Sequence, residues 1–553
     1  MSMSPFRGRL TGHAGAHAVT VARHHGVTTM FTLSGGHVFP LYDGAVRPEP
    51  VMNLLDVRHE QTAVFAAEGV GKLTRTAGWA VLTAGPGVTN GISGMATAHF
   101  NGSPMVVLGG RAPDGRWGQG LLQELDQPPI LEPVTKRAWT VHETSRVGSA
   151  VHEAFTLANS AHRGPVFLDI PMDRLYDHAD VEPPLPAPST DRTPEPDAVA
   201  TVAHLLSEAE RPVLVYGSDV WLDGAEETAR ALAEELGIPV ITNGQGRGVL
   251  PGSHPLLVNR ARSTAFGQAD LVVVVGTPLD FRLGHGLFGG KNGAGLAKVA
   301  HVVDSADQLA THLGLAGSVT GDVAAALRGI GDAAKPPSAL AQWRQLLQDA
   351  VRAATASDVE AMRSDAEAIQ PPRIYGELTR ILADDAVVIG DGGDFVSYAG
   401  KYIEPAAPGN WLDPGPFGCL GTGMGYAIAA RLSRPSAQVV TLLGDGAAGF
   451  SLMDVDTLVR HRLPVVMVCG NNGIWGLEKA PMQLIYGYDV AADLTPQTRY
   501  DEVVRALGGD GELVTRPEEI APALRRAFDS GVPYMVNVAT DPENVYPRAT
   551  MGV

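Results

Sequence analysis

The sequence predicts an α/β protein built from three doubly wound parallel-sheet domains. Short apolar runs alternate with helix-length segments along most of its 553 residues, and this alternation is typical of parallel strands covered by helices on both faces. A chain of this length is too long for a single hydrophobic core. Its 65 glycines and 40 prolines favour many tight turns between strands and helices. We therefore expect about three domains of similar construction.

The apolar runs group into three units along the chain. A proline-rich, polar stretch at residues 182–197 predicts a linker after the first unit, and a helical segment at 338–368 leads into the third. The expected boundaries are 1–185 for an N-terminal domain, 195–345 for a central domain and 370–553 for a C-terminal domain. The runs that predict strands lie at 80–83, 105–108, 166–170, 212–216, 239–242, 271–275, 301–303, 386–389, 439–443, 464–469 and 534–538.

The net charge, the cysteine count and the lengths of the apolar runs limit the partners and locations that we expect for this protein. A formal net charge of −18 argues against nucleic acid or an anionic membrane surface as the main partner. Only two cysteines occur, Cys419 and Cys469, so we expect no disulfide framework and a reducing, cytoplasmic location. Residues 1–20 lack the apolar core of a signal peptide. No stretch of about 18 apolar residues, the length that spans a bilayer, occurs in the sequence.

A carboxylate and a pair of carboxamides follow two apolar runs in the last unit. The sequence Gly-Asp-Gly at 444–446 ends the run at 439–443, and Asn471 and Asn472 follow the run at 463–469. The carboxyl ends of adjacent parallel strands meet at one edge of a sheet, where these side chains would lie close together. Hard oxygen ligands suit Mg²⁺ bound to a phosphate-bearing ligand, and glycines let backbone N–H groups approach phosphate oxygens.

Two other Gly-Asp-Gly sequences show how specific this arrangement is. The one at 390–392 has no asparagine pair at the same distance downstream, and the one at 509–511 lacks both the strand and the partner; we interpret both as turns. The complete arrangement resembles the thiamine-diphosphate-binding motif. This resemblance implies that Asp445, Asn472 and the backbone oxygen of Ile474 bind Mg²⁺. It also implies cofactor contacts by small residues of the same domain: Gly393, Gly444, Gly446 and Ala447.

Further motifs extend the resemblance over nearly the whole chain. The segments LSGGH at 33–37, VRHEQ at 57–61 and TAGPGVTN at 83–90 are similar to the first domain of the acetolactate synthase superfamily. The segments GCLGTGMGYAIAA at 418–430 and GFS at 449–451 are closer to its oxalyl-CoA decarboxylase and 2-hydroxyacyl-CoA lyase branch. The resemblance implies a pyrimidine-binding N-terminal domain, a nucleotide-binding-like central domain and a diphosphate- and Mg²⁺-binding C-terminal domain.

The resemblance also implies roles in cofactor binding. Glu60 would share a proton with N1′ of the cofactor pyrimidine and promote the tautomer that activates the cofactor; a capping or salt-bridged glutamate is the alternative. Met424 would wedge under the cofactor and bend it, or would be an ordinary core side chain. Pro86 and Asn90, in the glycine turn of the first domain, would contact the cofactor.

Glu478 is a candidate for proton transfer at the substrate. It lies six residues after Asn472, and in a helix that begins near Gly476 it would occupy the first turn, where the positive helix end favours an anion. A glutamate at this offset resembles the catalytic acid/base of pyruvate decarboxylase-like relatives. The alternative is a solvent-facing glutamate paired with Lys479 or Arg499.

Two residues of the first domain are further candidates. His37 would lie near the reacting centre, where an imidazole can shuttle a proton or orient a carbonyl, and a hydrogen-bonded turn histidine is the alternative. Gln123, in the segment LLQEL at 121–125, matches the family glutamine that faces the reacting centre.

The resemblance implies cleavage or formation of a C–C bond next to a carbonyl, but it does not fix the substrate. The segment GTPLDFR at 276–282 stands where acetolactate synthases carry a flavin motif, so FAD is not favoured. Asp304 resembles the acidic residue that holds the ribose of ADP in the CoA-thioester branch. Our first interpretation is a 2-hydroxyacyl-CoA lyase that releases formyl-CoA and a ketone or aldehyde. Acetolactate synthase-like condensation of 2-ketoacids and a cofactor-binding regulatory protein are the alternatives.

The first and third units share an order of elements that predicts an assembly. Residues 85–110 and 444–470 both read glycine turn, helix-length segment, apolar run and glycine. In the superfamily two such domains pair across subunits, so Glu60 of one chain and Asp445 of another would enclose one cofactor. We therefore expect a homodimer, or a homotetramer made of two dimers.

Overall fold

The computed structural model describes residues 8–185, 190–291, 293 and 295–547. Within these residues three parallel sheets, each flanked by helices, follow one another along the chain, and the predicted fold class is confirmed. The strands are β1 (Thr29–Thr32), β2 (Asn53–Asp56), β3 (Gly78–Leu82), β4 (Met105–Arg111), β5 (Ala138–Thr140), β6 (Pro165–Pro171), β7 (Pro212–Tyr216), β8 (Val240–Thr242), β9 (Leu271–Val275), β10 (Lys298–Val303), β11 (Gly317–Thr320), β12 (Val387–Asp391), β13 (Trp411–Leu412), β14 (Val439–Gly444), β15 (Val466–Asn471), β16 (Asp510–Val514) and β17 (Tyr534–Ala539).

Helices cover the sheets. Among the described residues, no helix combines the length and the apolar character needed to cross a membrane. The α-helices are α1 (Ala14–His24), α2 (Phe39–Val46), α3 (Glu60–Thr74), α4 (Pro86–Asn90), α5 (Ile92–Asn101), α6 (Pro128–Leu131), α7 (Val147–Asn159), α8 (Met172–Tyr176), α9 (Pro196–Glu208), α10 (Ser218–Leu222), α11 (Glu226–Leu236), α12 (Arg262–Gln268), α13 (Val323–Ala333), α14 (Leu340–Ala361), α15 (Pro371–Ile381), α16 (Asp394–Tyr402), α17 (Thr422–Ser433), α18 (Asp445–Ser451), α19 (Val455–Arg460), α20 (Gly476–Tyr486), α21 (Tyr500–Ala506) and α22 (Pro517–Asp529).

The strand orders of the first and third sheets correspond. The first sheet has the order β2-β1-β3-β4-β6-β5 and the third has β13-β12-β14-β15-β17-β16, while the central sheet has five strands in the order β11-β10-β9-β7-β8. In both outer sheets the crossovers place loops at the carboxyl ends of the strands, where ligands bind in open α/β sheets. The three sheets fall inside the three expected domains, whose exact boundaries stay predictions.

The strands that the apolar runs did not indicate are mostly edge strands. β2, β5, β11, β13 and β16 lie at sheet edges, and β5 and β11 carry only one fully buried residue between them. An edge strand packs against one neighbour only, so it needs no continuous apolar run. β1, which has threonine at both ends, lies next to an edge. The predicted helix at 338–368 is present as the shorter α14.

The N-terminal and C-terminal domains of the chain share one hydrophobic core across α3 and α17. Glycines allow the two helices to approach closely, since a Cβ at Gly425 would lie 2.5 Å from Cβ of Phe65. A buried polar contact accompanies this packing: the hydroxyl of Tyr426 donates to Glu68 at 2.8 Å. α3 begins at the candidate residue Glu60, and α17 begins two positions before the candidate residue Met424. The packing therefore fixes the relative placement of these helix starts.

Candidate active site

Asp445 lies at the junction of β14 and α18, as the sequence predicts. Its Oδ2 accepts the backbone N–H of Gly473 at 2.7 Å and its Oδ1 accepts that of Gly446 at 3.0 Å. Because β14 and β15 are adjacent, the loop after β15 reaches the aspartate. Burial raises the pKa of Asp445 to about 6, although the two N–H groups stabilise its charged form. A cation beside this carboxylate would offset the cost of its burial.

The two asparagines after β15 have different surroundings. Asn471 is buried, and its amide donates to the backbone oxygen of Thr498 at 2.9 Å and to the side chain of Asn537 at 3.0 Å. Asn472 is half-buried, and its Oδ1 accepts the backbone N–H of Ile474 at 3.2 Å. Asn471 therefore braces the loop, while Asn472 remains the candidate ligand.

Glycines shape the space in front of Asp445. A Cβ at Gly444 would meet no atom within 4 Å, so this position faces open space. A Cβ at Gly446 would lie 2.5 Å from the ring of Trp475, and one at Gly393 would lie 2.8 Å from Leu477. A diphosphate can approach such a backbone closely. With a carboxylate, a carboxamide and a glycine-lined space together, the residues present fit a Mg²⁺ diphosphate.

A second group of candidate residues lies in the loops and helix starts that follow β1, β2 and β3 in the N-terminal domain. Glu60 begins α3, is 7% exposed, and accepts the amide of Asn90 on Oε2 at 3.0 Å. His37 is buried, and its Nδ1 lies 3.0 Å from the hydroxyl of Thr83. Burial lowers the pKa of His37, so its imidazole is neutral at pH 7. Pro86 is the exposed first residue of α4.

Gln123 joins this group through the backbone. It has a positive φ of 60°, and a Cβ at Gly85 would lie 3.0 Å from Cβ of Gln123. The loop of Gln123 therefore packs directly on the glycine turn that precedes Pro86 and Asn90. The structure thus brings together Glu60, Pro86, Asn90, His37 and Gln123 in one domain.

A cavity of about 350 Å³ opens between the central and C-terminal domains. Gly393, Glu478 and Arg282 line it. Nε and Nη2 of Arg282 bind the carboxylate of Asp280 at 3.0 and 2.7 Å, which fixes the plane of the guanidinium. Sequence reasoning did not single out Arg282, because its segment was considered only as the replacement of a flavin motif.

Glu478 lies in the first turn of α20, as predicted, and it is exposed, as the alternative interpretation requires. In the described part of the chain, Lys479 pairs with Asp493 and Arg499 pairs with Asp501, rather than with Glu478. The carboxylate of Glu478 instead lies near the half-buried Asp394, whose pKa is raised by burial and by the charge of Glu478.

Asp391 in the Gly-Asp-Gly at 390–392 is more than a turn residue, so our interpretation of it was wrong. Its carboxylate is 1% exposed and accepts the backbone N–H groups of Gly421 and Gly423 at 2.9 and 2.8 Å. It thereby anchors the start of α17 directly before Met424, which is 1% exposed in the shared core. The interpretation of the Gly-Asp-Gly at 509–511 as a turn was also wrong, since Asp510 and Gly511 begin β16. The cofactor wedge proposed for Met424 stays a prediction.

Asp304 lies apart from both groups, at the end of β10. It is buried, and its Oδ1 accepts from Nδ1 of His162 at 2.9 Å. Burial opposes the charge of His162, but Asp219 and Asp304 raise its pKa. A cavity of about 420 Å³ is lined by His162, Lys136 and Arg163. Asp304 lies behind this wall, so its contact with a ribose stays a prediction.

Three family descriptions match the chain in order. They are thiamine pyrophosphate enzyme, N-terminal TPP binding domain, over residues 13–130; the central domain over 199–330; and the C-terminal TPP binding domain over 391–538. The chain belongs to the thiamine pyrophosphate enzyme family. The resemblance stated from the motifs is therefore confirmed, and the N-terminal and C-terminal domains are domains that bind thiamine pyrophosphate (thiamine diphosphate).

Similar proteins are named for two different enzymes. The chain is 50% identical over 545 residues to "Probable acetolactate synthase" of Mycobacterium bovis and to "Acetolactate synthase large subunit IlvG" of Mycobacterium tuberculosis, with 97% of each chain covered. It is 32% identical over 573 residues to "2-hydroxyacyl-CoA lyase 2" of Homo sapiens, covering 95% of this chain and 90% of the relative. Both names denote reactions that the motifs suggested.

Proposed function

We propose that this family member condenses 2-ketoacids in an acetolactate synthase-like reaction. The observation that carries the proposal is the position of Arg282, which is held by Asp280 and lines the same cavity as Glu478 and Gly393 as well as the 420 Å³ cavity. Asp280 occupies the edge of this guanidinium formed by Nε and Nη2, so the other edge, formed by Nη1 and Nη2, would bind the carboxylate that every 2-ketoacid has next to its reacting carbonyl. The relatives named acetolactate synthase, at 50% identity over 97% of the chain, support the same substrate class.

Replacement of Arg282 by alanine tests the substrate class. We expect KM for pyruvate to rise about 10- to 100-fold, because a charge-assisted hydrogen bond contributes about 1.5–3 kcal/mol. Arg282→Lys keeps the positive charge but not the planar guanidinium, so its KM for pyruvate should lie between those of the parent enzyme and Arg282→Ala. Arg516→Ala, an exposed arginine on the C-terminal domain, is the matched control and should leave KM unchanged. Steady-state kinetics with pyruvate measure the effect, and an unchanged KM in Arg282→Ala would contradict the proposed contact.

The candidate residues of the C-terminal domain would hold the cofactor diphosphate and the metal. Asp445, Asn472 and the backbone oxygen of Ile474 would bind Mg²⁺, and the glycine-lined space would take the diphosphate. Gly393, Gly444, Gly446 and Ala447 are the residues proposed to line that space. When bound, thiamine diphosphate supplies a carbanion that adds to a carbonyl carbon and takes up the electron pair left by C–C cleavage.

The candidate residues of the N-terminal domain would transfer protons and orient the substrate. Asn90 occupies Oε2 of Glu60, which leaves Oε1 to share a proton with the pyrimidine nitrogen. The neutral imidazole of His37 can donate or accept one hydrogen bond at the substrate through Nε2 while Nδ1 contacts Thr83. Gln123 would orient the carbonyl from the adjoining loop.

A 2-hydroxyacyl-CoA lyase is the second candidate, and the exposed carboxylate of Glu478 in the cavity favours it. Cleavage of a 2-hydroxyacyl-CoA must begin with removal of the proton from the substrate hydroxyl. A carboxylate in the first turn of α20, beside the metal loop, can accept that proton. Relatives named 2-hydroxyacyl-CoA lyase 2 cover nearly the whole chain.

Glu478→Ala separates the two candidates. In a lyase it should lower cleavage of 2-hydroxyacyl-CoA by about 10²-fold or more, the size of a general-base contribution, with the affinity for Mg²⁺ unchanged. Glu518→Ala, another exposed glutamate in the first turn of a helix, is the control. Cleavage of 2-hydroxyacyl-CoA at the normal rate by Glu478→Ala would transfer the proton role to His37 or to the cofactor.

The substrate question is decided by assaying the purified enzyme with pyruvate and with a 2-hydroxyacyl-CoA under the same conditions. We expect acetolactate to form from pyruvate at the higher kcat/KM. Formyl-CoA release as the faster reaction would select the lyase instead. An absorbance spectrum of the same preparation tests for FAD, and nucleotide extraction tests for ADP, which Lys136 and Arg163 in the 420 Å³ cavity would attract.

We also propose that one cofactor lies between two chains. The cavity that contains Glu478 and Gly393 is lined, in the described part of the chain, by residues of the central and C-terminal domains, whereas Glu60 and His37 lie in the N-terminal domain. A second chain would close the cavity with its own Glu60. Mixing of inactive variants tests this arrangement.

A further inference from the structure

A segment of the C-terminal domain forms hydrogen bonds with the residues on either side of Glu60. We name residues 56–62 the glutamate segment and residues 454–461 the clamp segment. Asp454, in the clamp segment, accepts the backbone N–H of Arg58 on Oδ1 at 2.7 Å and the hydroxyl of Thr62 on Oδ2 at 2.6 Å. Arg58 and Thr62 lie two residues before and after Glu60. One carboxylate therefore fixes the chain on both sides of the glutamate.

The surroundings of Asp454 make this anchor rigid. Asp454 is 1% exposed and Thr62 is 2% exposed, and the hydroxyl of Thr457 donates a third hydrogen bond to Oδ1 at 2.9 Å. Burial raises the pKa of Asp454, opposed by these donors. Buried hydrogen bonds to a carboxylate are costly to lose, because the group then stays desolvated without partners.

Two basic residues of the clamp segment hold the start of the glutamate segment. Arg460 donates to the carboxylate of Asp56 at 2.8 Å and to its backbone oxygen at 3.0 Å, and Nε2 of His461 lies 3.2 Å from the same carboxylate. These contacts are more exposed than those of Asp454 and lie farther from Glu60. The side chain of His59 caps α3 through the backbone N–H of Gln61, and the buried Asp454 is the contact of the clamp segment that flanks Glu60 on both sides.

We propose that Asp454 is a positioning residue that sets the backbone of Glu60 for proton sharing with the cofactor. The inference rests on the role of Glu60 in the proposed function. Asp454 does not touch the reacting atoms, and it acts through the two hydrogen bonds that flank Glu60. A displacement of about 1 Å at such a group is enough to cost about 10²-fold in rate.

The first test is the variant Asp454→Asn in the full-length protein. It keeps the shape but replaces one acceptor oxygen with a donor. We expect kcat to fall between about 10-fold and 10²-fold, with KM for the substrate changed less than about threefold. Hydrogen–deuterium exchange of the peptide containing the glutamate segment, measured before the cofactor is added, should become faster. Asp270→Asn is the matched control, since Asp270 accepts two backbone N–H groups in the central domain at 2.8 and 2.9 Å, and both readouts should be unchanged.

Two further variants keep the proposal testable if Asp454→Asn is poorly folded. Thr62→Val removes only one of the two flanking hydrogen bonds and should give a smaller loss of the same kind. The double variant Asp454→Asn with Glu60→Gln should be no slower than Glu60→Gln alone, because Asp454 acts through Glu60.

The outcomes separate this proposal from the proposed function. Multiplicative losses in the double variant, or unchanged exchange of the glutamate segment in Asp454→Asn, would overturn the positioning role. Full activity of Glu60→Gln would instead overturn the role of Glu60 on which the inference rests.

Discussion

Replacement of Glu60 by glutamine is expected to lower kcat by about 10²-fold or more. Glutamine keeps the shape of the side chain and can still contact Asn90, which lies 3.0 Å from Oε2. It cannot share a proton with the pyrimidine nitrogen, and positioned acid–base groups contribute about 10²- to 10⁴-fold in rate. Because the lost interaction is formed during cofactor activation, KM for pyruvate should change much less than kcat. Steady-state kinetics at saturating Mg²⁺ and cofactor measure both constants.

The control for this variant is Glu132→Gln. Glu132 is an exposed glutamate in the first turn of a short helix of the same domain. It should retain the activity of the parent enzyme. Near-parental turnover of Glu60→Gln would mean that Glu60 only binds Asn90; the capping alternative is wrong, because the side chain of His59 caps α3.

Replacement of Asp445 by asparagine is expected to abolish measurable activity by removing the metal. Mutation of residues that merely support a metal ligand costs about 10- to 100-fold in affinity or activity, so the loss of a carboxylate ligand should exceed this. Asparagine can still accept one N–H, from Gly473 or from Gly446. The loop should therefore stay folded while the affinity for Mg²⁺ falls. Calorimetric titration of Mg²⁺ in the presence of thiamine diphosphate measures the change.

The chain contains a matched control for Asp445. Asp510 lies in another Gly-Asp-Gly, is exposed, and accepts the N–H of Gly511 at 2.7 Å. Asp510→Asn should bind Mg²⁺ and cofactor with normal affinity. Equal affinities for Mg²⁺ in Asp445→Asn and in the parent protein would remove Asp445 from the proposed ligands.

The metal-binding loop was predictable from the sequence because the topology of the parallel sheet determines its position. Two apolar runs of a parallel sheet end at one edge, so the order of the runs brings Asp445 and the loop of Asn472 together. The structure adds that Asn471 braces the loop, which a pair of identical residues could not indicate. The roles of Asp445, Asn472 and Ile474 as ligands stay predictions.

Asp391 and Asp454 could not be found by the same reasoning. Asp391 binds backbone N–H groups about 30 residues downstream, and Asp454 binds a segment of another domain. No local spacing encodes such contacts, since they depend on how α17 and α3 pack. The edge strands could not be predicted for a related reason. They lack the continuous apolar run that marks a strand buried on both faces.

In the proposed assembly each cofactor site is built from Glu60 of one chain and Asp445 of another. Glu60→Gln and Asp445→Asn are each expected to be inactive alone. After mixing under conditions that exchange subunits, half of the dimers are mixed and each has one intact site, so about one quarter of the parent activity should return. Recovery of that activity, together with its absence when either variant is mixed with itself, is the predicted result. No recovery from a preparation in which mixed dimers are demonstrated by mass spectrometry would contradict the account, because both residues would then have to serve the same site within one chain.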